Sequence, residues 1–545
     1  MANTIKFGNE NWATKKDSIL AYNDENANFK PLPFVTSRAS TATRVNKAGL
    51  LETVASGVPR VDYLDNSKGS YLLEPASTNL ITQSEAFDNS YWTKSNASIE
   101  GDASTVGVEK VVNGDFDTDT NWSKDSGWTI SGGTANYDAV SSNQDLEQAI
   151  TLTEGSIYAI TFEIKSGEFR GRFLSLNSSI IENNNYTVGT HTVYGSVSSG
   201  SNLFVIKAVN TTGGSSFSID NVSVKEVQGF ASPSADSPLG ALKLVEDSIL
   251  STKSIKTSTF TSVNGQEYTI SIFAKPNGRI LQITPSTAFI QRYINYDLDS
   301  GTMDLSGAGD AFGTITLLNN GYYRCTYTAS ANASSTVANI FYCLVDSPTA
   351  TRRQTYTGNG TSGVYIFGAQ VEQSSYATSY IPTSGSQITK LEDTASQEVP
   401  DGLINSSQGV LYAEISALSN EGDTYRTISL NDGSGTNTNR ILIGYTNTDN
   451  IYAQINNTLI GITGTNFNVK NLNKLAVVYN GSIAKLFLNG AQVGTGITTA
   501  PTLIGLDNIT SSSGAATSVF EGKVKDLNLY NTALTDAELV TLTKV

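Results

Sequence analysis

The sequence predicts an all-β protein made of several β-sandwich, jelly-roll modules, one nested inside another. Three observations carry this. Runs of Val, Ile, Tyr, Phe and Thr alternate with polar residues, as in SIYAITFEI (156–164), EYTISIFAK (267–275) and GVLYAEISA (409–417). Gly, Asn, Asp and Ser turns separate these runs, and Gly alone numbers 47. Helical periodicity is nearly absent; only the carboxyl end, where Glu538 follows Thr535 at capping-box spacing, predicts a short helix from about Asp536.

Taken in order, residues 1–78 hold few long strands and a larger share of Arg and Pro than the rest, and read as an irregular N-terminal anchoring or oligomerisation segment. Two similar openings follow, SEAFDNSYWTKS (84–95) and NGDFDTDTNWSK (113–124). Two similar closings come later, SSFSIDNVSVKEV (215–227) and SGVYIFGAQVEQ (362–373). The openings lie too close for tandem sandwiches, which need roughly 100 residues each. The order opening, opening, closing, closing therefore predicts an outer module of 79–107 plus 229–390 with a second module, 108–228, inserted in one of its loops. Residues 391–545 make a further sandwich, with Asn489-Gly490 marking a hairpin turn.

The 545 residues exclude several functions. The formal net charge is −15, with 35 Lys and Arg against 50 Asp and Glu, so no nucleic-acid partner is expected. No apolar run approaches the roughly 20 residues of a membrane helix, so no membrane insertion is expected. One His and two Cys argue against zinc, haem and a disulfide framework. Cys325 and Cys343 read as buried thiols. The opening MANTIKFGNENWATKKDS lacks a basic stretch leading to an apolar core, which suits folding in a cytoplasm.

The stretches LAVVYNGSIAKLFLNGAQVG (475–494) and FEGKVKDLNLYNTALTDAEL (520–539) resemble concanavalin-like and laminin-G-like sandwiches. NGDFDTDTNW and FSIDNVSV resemble the ends of carbohydrate-binding jelly rolls. Residues 37–94, together with GAQVEQSSYATSYIPTSG (368–385), look like tailed-phage virion proteins. That resemblance implies a fibre or decoration protein of a virion assembled in a bacterial host cytoplasm. It implies an N-terminal segment docked on capsid or tail proteins, a homo-oligomer with a trimer favoured, and β modules that bind cell-surface or environmental glycans. A glycan-degrading enzyme and a purely structural connector are the alternatives.

No enzyme activity is expected. Concanavalin-like hydrolases carry Glu-x-Asp-x-x-Glu on one strand, which puts the acids on one face. Here Glu421-Gly422-Asp423 is followed by Arg426 where the second Glu belongs. His191 has no Ser or Asp partner in sequence and reads as a solvent-facing strand residue. Asp115 or Asp117, with Asp220, sit where carbohydrate-binding jelly rolls hold a structural Ca²⁺, and hard carboxylate oxygens suit that ion. Phe367 stands at the matching position of the outer module, so no second ion is expected there. Sugar binding uses exposed aromatic faces beside polar groups. The candidates are Trp122, Trp128 and Tyr137 in the insert and Tyr425, Tyr445 and Tyr452 in the last module.

Overall fold

The computed structural model describes residues 5–21, 32–64, 66–139, 143–153, 156–175, 179–196, 203–209, 216–290, 292–400, 402–420, 424–465, 467–515 and 517–545. Strands dominate, and Asp536–Thr543 is the only α-helix among the described residues. It starts as the sequence predicts: the Thr535 hydroxyl accepts from the Glu538 amide and the Glu538 carboxylate accepts from the Thr535 amide. Asn489 and Gly490 both take positive φ, 47° and 88°, as a two-residue hairpin with matching twist requires.

The carboxyl-terminal sandwich packs an eight-stranded sheet on a nine-stranded one. The first sheet centres on Gln408–Ala417, flanked by Asn473–Asn480 and Gly522–Tyr530. The second runs through Arg426–Asn431, Arg440–Tyr445 and Ile451–Ile455. Leu411, Ile415, Ile428, Ile443 and Leu527 meet between them in one apolar core.

The described residues among the first 78 do not form a separate unit. Ile5–Gly8 pairs with Gly522–Tyr530, and Ser70–Leu73 pairs with the other end of that strand. Leu32–Ser37 pairs with Thr394–Glu398 in the opposite sheet. Ile5, Phe7, Phe34 and Tyr71 lie in the shared core, with the Phe7 and Phe34 rings 5.1 Å apart. The cause is simple alternation: Leu32–Ser37 buries every second side chain. These short strands, interrupted by Arg and Pro, look irregular in sequence because each half of the pattern is completed by residues hundreds of positions away.

A second contact ties the same segment to the middle of the chain. The hairpin Ala42–Val45 and Leu51–Val54 packs Val45 and Leu51 against Phe273, Phe367 and Tyr380. Beside it lies a buried ion network. Arg60, fully buried, pairs with Glu74 at 2.7 Å and with Asp393; Arg38 reaches Asp393 at 2.8 Å. Lys390 stands 3.6 Å from Glu74, and the Ser379 amide and hydroxyl donate to the same carboxylate at 2.7 and 2.6 Å. Burial pushes the Glu74 pKa up, but Arg60 and Lys390 pull harder, and it ends well below the usual carboxylate range.

The middle of the chain forms two more pairs of sheets. In one pair, Ala97–Glu100, Leu242–Glu246, Gly363–Glu372, Glu267–Asn277, Tyr323–Ser330 and Phe312–Leu317 lie side by side, facing a six-stranded partner that runs from Thr93–Ser95 to Thr302–Asp304. In the other, Phe217–Gln228 pairs with Ile157–Ser166 and Ala135–Tyr137, over a five-stranded sheet. Asp102–Glu109 pairs with Phe217–Gln228, so the inner sheet already includes chain before residue 108. The inner pair encloses its own core of Trp122, Trp128, Phe162 and Phe173. Cys325 and Cys343 are both buried and unbonded, and burial raises both thiol pKa values, Cys343 to about 12.

A candidate glycan-binding cleft

The strand Tyr323–Ser330 sorts its side chains by parity. Cys325, Tyr327 and Ala329 enter the apolar core, so Arg324, Thr326 and Thr328 face outward. The neighbouring edge strand adds Phe312, Thr314 and Thr316 in register with Thr328, Thr326 and Arg324. The Thr314 and Thr326 hydroxyls are 2.7 Å apart. This polar face forms one wall of a cleft of about 930 Å³. The N-terminal segment supplies a second wall, with Arg44, Asp62 and Asn66, and the carboxyl-terminal sandwich a third, with Asn420, Lys470 and Lys523. Ser375, Tyr376, Ala377, Ser379 and Tyr380, near the end of the outer module, add to the lining.

The chemistry of the walls is specific. Phe312 is 42% exposed and offers an aromatic face at the cleft. Thr314, Thr316, Thr326 and Thr328 add hydroxyls to the same lining, and Asn66, Asn420 and Asn471 add amides. Asp62 is held by the Val45 amide at 2.8 Å and pairs with Lys523 at 3.3 Å. Arg44 pairs with Glu52 at 2.9 Å. Arg324 is only 9% exposed, lies over the Phe273 ring at 5.5 Å, and donates from Nη2 to the Ser271 hydroxyl and the Thr378 carbonyl. Burial lowers its pKa from the ordinary value, although Glu372, Glu74 and Asp62 oppose this.

The residues singled out in the sequence fall elsewhere, and five of the six aromatics are buried, four of them in the apolar cores. Trp122 packs on Phe116 and donates Nε1 to the Asn113 carbonyl at 2.9 Å. Trp128 and Tyr137 pack on each other and on Phe217. Tyr445 shares parity with Ile441 and Ile443, enters the sandwich core and donates to the Ile415 carbonyl at 3.0 Å. Tyr452 is buried on the outer face of its sheet, under Tyr425. Tyr425 alone is exposed, at 41%. Large aromatics bury more apolar area than any other residue, so burial claimed the rest.

Asp115 and Asp117 are exposed in a turn. Asp220 accepts from the Asn221 amide at 2.7 Å, with Lys165 at 3.9 Å. Among the described residues no group of three or more His, Cys, Asp or Glu could hold a metal ion. His191 is half-buried rather than solvent-facing, with its ring 5.1 Å from Tyr186 and Nε2 2.7 Å from the Thr187 carbonyl oxygen. Glu421, Gly422 and Asp423 lie outside the described residues.

The structure adds an acidic pair that the sequence reading missed. Glu414 and Asp526 stand opposite each other on adjacent strands of the eight-stranded sheet. Both are buried, Lys525 donates to Glu414 at 2.7 Å, and one Asp526 oxygen has no partner. Burial raises the Asp526 pKa to about 6, with Lys6 and Asn528 opposing. The alternation in GVLYAEISA already placed Glu414 off the core face; only strand pairing could bring Asp526 to it.

Residues 391–540 match a family model, Laminin_G_3, the concanavalin A-like lectin/glucanases superfamily. The last sandwich is thus concanavalin-like, and the chain as a whole is an all-β, multi-sandwich protein. No curated protein matches the chain. Among solved structures, it is similar to the CBM40 of a Ruminococcus gnavus IT-sialidase (19% identity, 26% of this chain and 84% of that one, TM-score 0.22). It is also similar to domain 4 of AbnA, a GH43 extracellular arabinanase of Geobacillus stearothermophilus, in complex with arabinotriose (17% identity, 31% and 81%, TM-score 0.23). A third is the CBM22-1-CBM22-2 tandem of Paenibacillus barcinonensis Xyn10C (12% identity, 51% and 100%, TM-score 0.18). At these TM-scores none carries a conclusion about this chain.

Proposed function

We propose that this chain is a non-enzymatic adhesion protein whose β modules bind glycans, and that the inter-module cleft is the receptor site. One observation carries the reading: a concave, hydroxyl-rich surface presents an exposed aromatic, Phe312, beside the polar row of Thr314, Thr316 and Arg324. Sugars are held by such combinations, in which an apolar face stacks on an aromatic and hydroxyls meet fixed polar groups. The lectin-like family match of the last sandwich supports the same class of ligand. The finer reading, a phage fibre or decoration protein that docks on capsid or tail proteins as a trimer, rests on the resemblance of residues 37–94 and 368–385. A structural Ca²⁺ is not part of this proposal.

The test is a glycan array followed by calorimetry on the full chain and on Phe312→Ala. Glycan binding that falls about tenfold or more in the variant, with the melting temperature unchanged, supports the cleft. Binding unaffected by Phe312→Ala moves the site elsewhere, and the exposed Tyr425 is then the next surface. The runner-up, a glycan-degrading enzyme, is favoured by the Glu414 and Asp526 pair. Release of reducing ends from a bound glycan, abolished by Asp526→Asn, would establish it instead.

A further inference from the structure

We infer that the cleft takes sugars bearing a negative charge, a carboxylate or a sulfate, and that Arg324 and Lys470 hold it. This rests on the cleft being a glycan site and deepens that reading. The ionisable lining comprises Arg44, Arg324, Lys470 and Lys523 against Asp62 and Glu74, four cations to two carboxylates. The excess is positive in a chain of net charge −15. Internal pairing then removes most of these groups. Arg44 is matched by Glu52, Lys523 by Asp62, and Glu74 by Arg60. Arg324 and Lys470 have no ion pair among the described residues.

Arg324 is the stronger observation. A buried guanidinium is normally paired, because desolvating it without a counter-charge is costly. Here the nearest carboxylates are committed elsewhere. Glu372 accepts from Ser77 and Thr378 at 2.6 and 2.5 Å, Glu74 belongs to the Arg60 network, and Asp62 to Lys523. Arg324 Nε has no partner, and among the described residues Nη1 donates to none. Nη2 spends its N–H groups on Ser271 and Thr378 and Nε is buried, so Nη1 is the donor left at the wall of the cleft, a charged donor suited to one oxygen of a carboxylate or sulfate. Lys470, exposed at the opposite wall, adds a second charge without fixed geometry. The hydroxyl-rich wall and Phe312 favour a sugar as the bearer of the anion over an acidic peptide.

The experiment is calorimetry on the full chain with four probes: an oligogalacturonate, its fully methyl-esterified counterpart, a chondroitin sulfate oligosaccharide and a short poly-glutamate. We expect one or both charged sugars to bind at least tenfold more tightly than the neutral ester and the peptide, with affinity falling as salt rises. Both charged sugars carry carboxylates, so equal binding assigns the carboxylate and tighter binding of the chondroitin sulfate oligosaccharide assigns the sulfate only if its desulfated form binds more weakly. Arg324→Met should weaken that binding by about tenfold or more. Lys470→Glu, at an exposed position where substitutions change stability little, should weaken it several-fold and flatten the salt dependence. The ester binding as tightly as the acid, or poly-glutamate binding as tightly as the sugars, overturns the inference and leaves other glycan binding standing. Charged-sugar binding that survives Lys470→Glu and Arg324→Met also overturns it. If none of the probes binds and the glycan array is blank, the glycan reading itself fails and the inference falls with it.

Discussion

Phe312 and Asp526 show how far position on a strand decides what a residue can do. Phe312 sits on an edge strand with little packed on it, so its removal should leave stability unchanged within about 0.5 kcal/mol while weakening sugar binding. Thermal melts and calorimetry on Phe312→Ala separate the two effects. Asp526 is the reverse case. Folded, its carboxyl keeps a proton up to about pH 6; unfolded, only to about pH 4. Protonation therefore favours the folded state between those values, and the buried charge opposes folding above pH 6. Asp526→Asn should stabilise the chain by up to about 3 kcal/mol at pH 8 and by little at pH 4, read from denaturant midpoints at the two values. A gain that is equal at both pH values would show that charge burial is not the cause.

At the scale of elements, the strands that complete the last sandwich come from both ends of the chain, and the buried ion network locks them to the linker after the outer module. Asp393 is the hub, since both Arg38 and Arg60 depend on it. Asp393→Asn leaves two buried guanidinium groups short of charge, and should cost about 3–5 kcal/mol, visible as a lower denaturant midpoint for the sandwich. The elements themselves were largely legible. Thr535 and Glu538 marked the helix, Asn489-Gly490 the hairpin, and the alternation in YYRCTYTA separated Arg324 and its threonines from Cys325 and Tyr327. What alternation cannot give is which face meets solvent. Tyr425 and Tyr445 carry the same side chain in the same module, yet one is exposed and the other joins Ile441 and Ile443 in the core. The cleft was illegible for the same reason: it exists only where the N-terminal segment, the outer module and the last sandwich meet, and no local pattern records that meeting.

For the whole molecule, the first 78 residues are structural members rather than an appendage. A chain beginning at Asn79 loses Ile5, Phe7, Phe34 and Tyr71 from the core, together with Arg38, Arg60 and Glu74 from the ion network. It should lose the cooperative unfolding transition of the last sandwich and expose apolar surface, measured by calorimetric scanning and dye binding. A shortened chain that melts like the full one would mean that the segment only decorates the sandwich. The solution mass of the full chain, by light scattering, tests the trimer separately.

The pairing of Ile5 with Leu529 also orders events in time. A ribosome adding roughly 5–20 residues per second makes the second residue about half a minute to two minutes after the first. During that interval the middle modules have all their strands, while Phe7 and its neighbours wait with a bare strand edge. The last sandwich can close only after nearly the whole message has been read. A chain cut short near its carboxyl end therefore leaves its amino-terminal strand unpartnered, and that edge is the place where such a fragment would aggregate or be degraded.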